Sequence, residues 1–170
     1  AIKDIDSGRF KDDPETEAGL RDTIGVILTN NGKYDKAQPL LEQAVAMRQP
    51  LLEGGDPIVA ESMNNLAELY RLQGKYAQAE PLYTRALEIR EKAFGPDHPD
   101  VAASLNGLAL IYQAQGQYAK AEALYTRALA IVEKALGPDH PHVATSVNNL
   151  ALLYFDQGKG ERYRSLGCYP

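Results

Sequence analysis

From Val59 to Gln73 the apolar side chains Met63, Leu66, Ala67 and Tyr70 recur three and four residues apart, which places them on one face of a helix. Gly74 follows where such a helix would end, because glycine accepts the conformation that closes a last turn. A second helical pattern runs from Tyr76 to Phe94 and turns Ala79, Leu82, Tyr83, Ala86, Leu87 and Ile89 inward. Gly95-Pro96 breaks it, and Asp97 or His98 is placed to cap a further helix whose first turn accepts Pro99. The short Gly-Lys turn between the two patterns forces the helices antiparallel. Small residues at Ala67, Ala79 and Ala86 let them approach closely, while Leu66, Tyr70 and Tyr83 fill the remaining space.

The same pattern then repeats. Residues 57–98 and 99–140 agree without a gap at 28 of 42 positions, and a third copy opens at Pro141 with PHVATSVNNLALLYFDQGK. A weaker copy lies upstream, where Gly32, Tyr34 and Ala37 stand 42 residues before Gly74, Tyr76 and Ala79. Self-similarity at a fixed period of this size marks a repeat architecture. The expected division is a 1–15 N-terminal extension, a divergent repeat over 16–56, repeats over 57–98 and 99–140, a first helix over 141–159, and a non-repeat tail over 160–170. In that tail GERYRSLGCYP lacks the small-large pattern, so the fourth repeat is expected to lack its second helix.

The positions Leu66, Ala67, Tyr70, Ala79, Tyr83 and Ala86, with their counterparts Leu108, Ala109, Tyr112, Ala121, Tyr125 and Ala128, resemble the signature of the tetratricopeptide repeat. The 42-residue spacing, the Asn-Asn-Leu-Ala opening and the GPDHP loop are similar to the kinesin-light-chain subtype. The resemblance covers about residues 16–159. Repeat one departs from it, with Ile24, Gly25 and Leu28 at the leucine, alanine and tyrosine positions and Glu53-Gly54-Gly55-Asp56 in place of GPDH. It implies an all-α, right-handed superhelical solenoid of antiparallel helix pairs. It also implies a scaffold or adaptor that takes a peptide or helix of a partner protein in a concave groove lined by the first helix of each repeat.

Counting 100° per residue from the core stripe, Glu61, Asn65, Glu68 and Leu72 point away from the core, as do Ala103, Gly107, Leu110 and Ala114 and then Thr145, Asn149, Leu152 and Asp156. Asn64, Asn106 and Asn148 flank that line once per repeat. Asparagine is a poor helix former, so something compensates for it. Its amide can pair with a peptide backbone irrespective of sequence, or it can bond between adjacent helices and hold the stack. The candidate partner-binding residues are Asn64, Asn65, Glu68, Arg71, Asn106, Leu110, Gln113, Asn148, Asn149 and Leu152. A carboxylate clamp resembles a set of lysines and arginines at these positions, and Arg71 is the only nearby basic residue.

Other chemistry is sparse. His98, His140 and His142 beside Asp97 and Asp139 could suggest metal, but His98 and His140 lie one repeat apart, about 10 Å given helix packing distances. That is too far for one zinc with ligands at about 2 Å, and capping accounts for these residues. Arg85 and Arg127 lie on second helices and are expected on the convex side or paired with nearby glutamates. No phosphate loop, no Ser/His/Asp order and no Cys/His constellation emerges, so neither catalysis nor a metal or other cofactor is expected.

The 170 residues carry a net charge of −5, which argues against nucleic acid and anionic membrane as partners. Cys168 is the single cysteine, and no apolar run approaches 18 residues. With the polar start AIKDIDSGRF giving no sign of a signal peptide, the expected location is cytoplasmic. The first residue is Ala, which allows a piece of a longer chain, and hence a regulatory or self-association module whose catalytic part lies elsewhere. An exposed C-terminal end of the stack would favour a homodimer.

Overall fold

The computed structural model describes residues 5, 10, 12–52 and 55–158. Seven α-helices follow one another between Pro14 and Asp156, with no strand among the described residues. They are α1 (Pro14–Asn30), α2 (Tyr34–Arg48), α3 (Pro57–Leu72), α4 (Tyr76–Phe94), α5 (Pro99–Ala114), α6 (Tyr118–Leu136) and α7 (Pro141–Asp156), with a short 3-10 turn over Gln49–Leu52 after α2. The 42-residue spacing carries through to the start points: α2, α4 and α6 begin at Tyr34, Tyr76 and Tyr118, and α3, α5 and α7 at Pro57, Pro99 and Pro141. The tail beyond residue 158 lies outside the described residues, and with it the expected absence of a second helix in the fourth repeat.

Each first helix starts on one device. A proline opens the helix where its missing N–H costs nothing, and the side chain before it accepts a hydrogen bond from a first-turn amide. Asp13 accepts from Thr16 N at 3.1 Å and Asp56 from Ile58 N at 3.0 Å. In the later repeats a histidine does this work: His98 Nδ1 accepts from Asp100 N and His140 Nδ1 from His142 N, both at 3.2 Å. This is the capping role expected of these histidines. At the other end, Gly74 and Gly116 both adopt φ 72°, a region that a side chain disfavours, and reverse the chain into the second helix.

The chain divides after Ala93 into two compact units. In the first, Val59, Ala60 and Met63 of α3 pack with Ala86 and Ile89 of α4, and Val45 of α2 closes the cluster. In the second, Ala109 of α5, Ala121 and Tyr125 of α6, and Leu150 and Leu153 of α7 form the core. Ala79, Ala86, Ala121 and Ala128 are all fully buried, as close helix approach requires. Repeat one reaches the same end differently. A methyl group at Gly25 would stand 2.6 Å from Leu41 Cγ, so α1 and α2 touch through a missing side chain.

Candidate functional site

The first unit places a polar cluster where α1, α2 and α3 meet. Arg48 comes from the last turn of α2 and is only 4% exposed, so its guanidinium must be fully engaged. Its Nη1 donates to Ser62 Oγ at 2.7 Å and to Asp22 Oδ2, and its Nη2 donates to Glu15 Oε1 at 2.7 Å. Ser62 in turn donates to Asp22 Oδ2 at 2.5 Å. One guanidinium thus ties α3, through Ser62, to two acidic residues of α1. Asp22 is 6% exposed, and its second oxygen, Oδ1, is buried without a hydrogen-bond partner. Burial pushes the Asp22 carboxyl above the usual carboxylate range and the Glu61 charge adds to the rise; Ser62, Arg48 and the nearby Asn65 amide oppose it without reversing it. The Asn65 amide stands close enough to lower the carboxyl as a hydrogen-bond donor, although its geometry to Oδ1 falls short of a full hydrogen bond. Asp22, Glu61, Asn65 and Arg48 line a cavity of about 420 Å³ whose apolar wall is Val26, Ile27 and Ile58.

The second unit repeats this cavity with different chemistry. Moving along by two periods, Asp22 becomes Asn106, Arg48 becomes Val132, Glu61 becomes Thr145 and Ser62 becomes Ser146. All four replacements line a cavity of about 250 Å³ between α5, α6 and α7. Asn106 Oδ1, like Asp22 Oδ1, is buried and has no hydrogen-bond partner. Asp22 is therefore the first rung of the asparagine ladder. The period could have found it, since it lies 42 residues before Asn64.

The remaining candidates fall into distinct environments. Asn64 and Asn149 are half-buried, while Asn148 is exposed. Glu68 and Arg71 engage each other, with Arg71 Nη2 2.6 Å from Glu68 Oε1, and Tyr83 of α4 donates to Glu68 at 2.8 Å. Gln113 donates to Asp156 at 2.6 Å and accepts from the Tyr125 hydroxyl at 3.0 Å, joining α5, α6 and α7. These three side chains are committed to internal contacts. Two positions counted as pointing away from the core do not: Gly107 is buried, and Leu110 is half-buried against the Ala109–Tyr125 cluster. A leucine at the edge of the face leans back onto the core, which an angular count of Cα positions does not register. Leu152 is 49% exposed, and near it on α7 Phe155 is 70% exposed. Of the second-helix arginines, Arg85 pairs with Glu88 at 2.8 Å and Arg127 donates to the Pro96 carbonyl at 3.3 Å.

The tetratricopeptide-repeat family model matches residues 15–92, 59–134 and 100–161, which together take in most of the chain. The chain belongs to the tetratricopeptide-repeat family. Its structural neighbours are kinesin-light-chain-like repeat proteins. BtubC (BKLC) from P. vanneervenii superposes with a TM-score of 0.79 at 26% identity, over 91% of this chain and 61% of that one. A Podosopora anserina kinesin-light-chain-like protein with nearly identical TPR-like repeats gives 0.79 at 30% identity, over 90% of this chain and 72% of that one. This tetratricopeptide-repeat chain thus spans less than two thirds of the first relative's length. No curated protein matches it. The fold is all-α, of the helix-pair solenoid class, and no described helix is long and apolar enough to cross a membrane.

Proposed function

We propose that the chain is a non-catalytic adaptor that holds a segment of a partner protein against the first helices of a unit, α1 and α3 in the first or α5 and α7 in the second. Family membership supports the coarse statement, because tetratricopeptide repeats are in general protein-interaction scaffolds. The observation that carries the finer one is Asn106. A buried amide oxygen without a partner costs free energy on the order of 1–3 kcal/mol. This one lies at the wall of a cavity, where a peptide N–H could recover that cost. Such pairing reads backbone rather than side chain, which suits an adaptor.

The test is Asn106→Ala in the whole chain, with circular dichroism and titration against a partner captured by affinity and identified by mass spectrometry. The expected outcome is weaker binding with unchanged helical content. A clear loss of melting temperature, with affinity following only as folding fails, would assign Asn106 to the stack instead. Exposed Phe155 and Leu152 on α7 favour a second use of the scaffold, pairing with another copy through the C-terminal end. Sedimentation over a wide concentration range tests it, and a strict monomer at high concentration removes it.

A further inference from the structure

The two cavities share a wall plan but differ in charge. In the second unit the rung and its neighbours are Asn106, Thr145 and Val132, none of which carries charge. In the first unit the same places hold Asp22, Glu61 and Arg48. Arg48 is already matched, since its guanidinium serves Glu15 as well as Asp22. Counting Asp22, Glu61 and Glu15 against Arg48, the cluster has a net charge of about −2 at neutral pH. It also holds a buried carboxylate oxygen, Asp22 Oδ1, that has no well-formed hydrogen bond, with the Asn65 amide standing nearby. A site short of a donor and of positive charge, walled by Ile27, Val26 and Ile58, suits a long aliphatic side chain ending in a cation.

We propose that the cavity of the first unit takes a lysine or arginine side chain of the bound partner segment, with the cationic head between Asp22 Oδ1 and Glu61 and the stem against Ile27 and Ile58. This rests on the adaptor reading and adds to it the chemistry of one partner position. Asn65 also lines the cavity, and its amide oxygen offers a further acceptor. Arg48 stays with Glu15 and Ser62 and keeps the pocket walls in place. In the cavity of the second unit the only acidic lining residue is Asp100, beside His142, and the rung itself is the neutral Asn106, so the demand for a cation is greatest at the first-unit cavity.

The experiment selects a random peptide display library on the whole chain, on Glu61→Gln and on Asp22→Asn. Glu61 is exposed, so its variant keeps the fold, and Asp22→Asn places at this rung the residue found in the other repeats. The expected result is enrichment of Lys or Arg at one peptide position with the wild-type chain. That enrichment is lost with both variants while peptides are still captured. Replacing the enriched residue by norleucine in one selected peptide is expected to weaken binding about tenfold for the wild-type chain, and little for Glu61→Gln. Capture of peptides without basic enrichment, or enrichment that persists in Glu61→Gln, overturns the inference and leaves the adaptor reading standing. Failure of the folded chain to capture any peptide, together with an Asn106→Ala variant that binds its partner as well as wild type, removes both.

Discussion

Gly25 offers the sharpest test of how the divergent repeat is packed. A Cβ at this position would lie 2.6 Å from both Leu41 Cγ and Cδ2. Carbon atoms pack at about 3.5–4.0 Å, so Gly25→Ala demands a shift of about 1 Å between α1 and α2. Leu41 is fully buried, so its side chain cannot swing out toward solvent. Overpacking of this kind costs about 1–3 kcal/mol, against which alanine recovers up to about 1 kcal/mol of helix propensity over glycine. The net expectation is a loss of about 1 kcal/mol, read as a fall of about fivefold in hydrogen-exchange protection along α1 and α2. The decisive comparison is the same substitution made in a Leu41→Ala background. There the obstructing branch is gone, and Gly25→Ala should raise protection instead of lowering it. Local exchange suits a repeat protein because its units open separately. If Gly25→Ala is harmless in both backgrounds, α1 and α2 are not in the contact described and the packing of repeat one is wrong.

Two further outcomes are expected. Pro81 stands inside α4 and is exposed, and Ala123 occupies the same place in the next repeat. Pro81→Ala should therefore restore one backbone hydrogen bond and raise the stability of the first unit by about 1–3 kcal/mol in urea melts; an unchanged midpoint would mean that the helix is already relaxed around the proline. Tyr70 is raised to about 12 by its partial burial and by the Glu42 carboxylate, which its hydroxyl meets at 2.7 Å. Its stabilisation is complete below the unfolded value of about 10 and is lost as pH rises from there through about 12, so alkaline melts should steepen in that window and flatten in Tyr70→Phe.

Helix placement was largely legible in the residues, and the differences have a local cause. The first helices begin at Pro57 and Pro141, two residues before Val59 and Val143 where the expected helices start, because a proline with a capping residue before it is already helical. Apolar periodicity marks where a helix is buried, not where it begins. The site was less legible. The ladder shows itself through Asn64, Asn106 and Asn148, and its first rung escapes because an aspartate stands there, nearly the same shape with a different charge. Arg48 gave no signal at all. An arginine in the last turn of an amphipathic helix reads as surface, and only the meeting of Asp22 and Glu15 around it explains its burial. Nor could pattern show that Glu68, Arg71 and Gln113 spend their polar groups on internal partners, since that depends on where Tyr83, Tyr125 and Asp156 arrive.

The recurring histidine–proline entry has a consequence for how such a chain can change length. His98 precedes Pro99, and His140 precedes Pro141. Excising residues 99–140 would join His98 to Pro141 and regenerate the same dipeptide, with the capping imidazole and the helix-opening ring both in register. Duplication of that stretch would be equally free of a new junction. A gene encoding it can therefore gain or lose a 42-residue cassette by unequal recombination without writing any local sequence that the protein does not already contain. Variation in cassette number becomes a cheaper evolutionary step here than the insertion of a few residues, which would separate a cap from its helix.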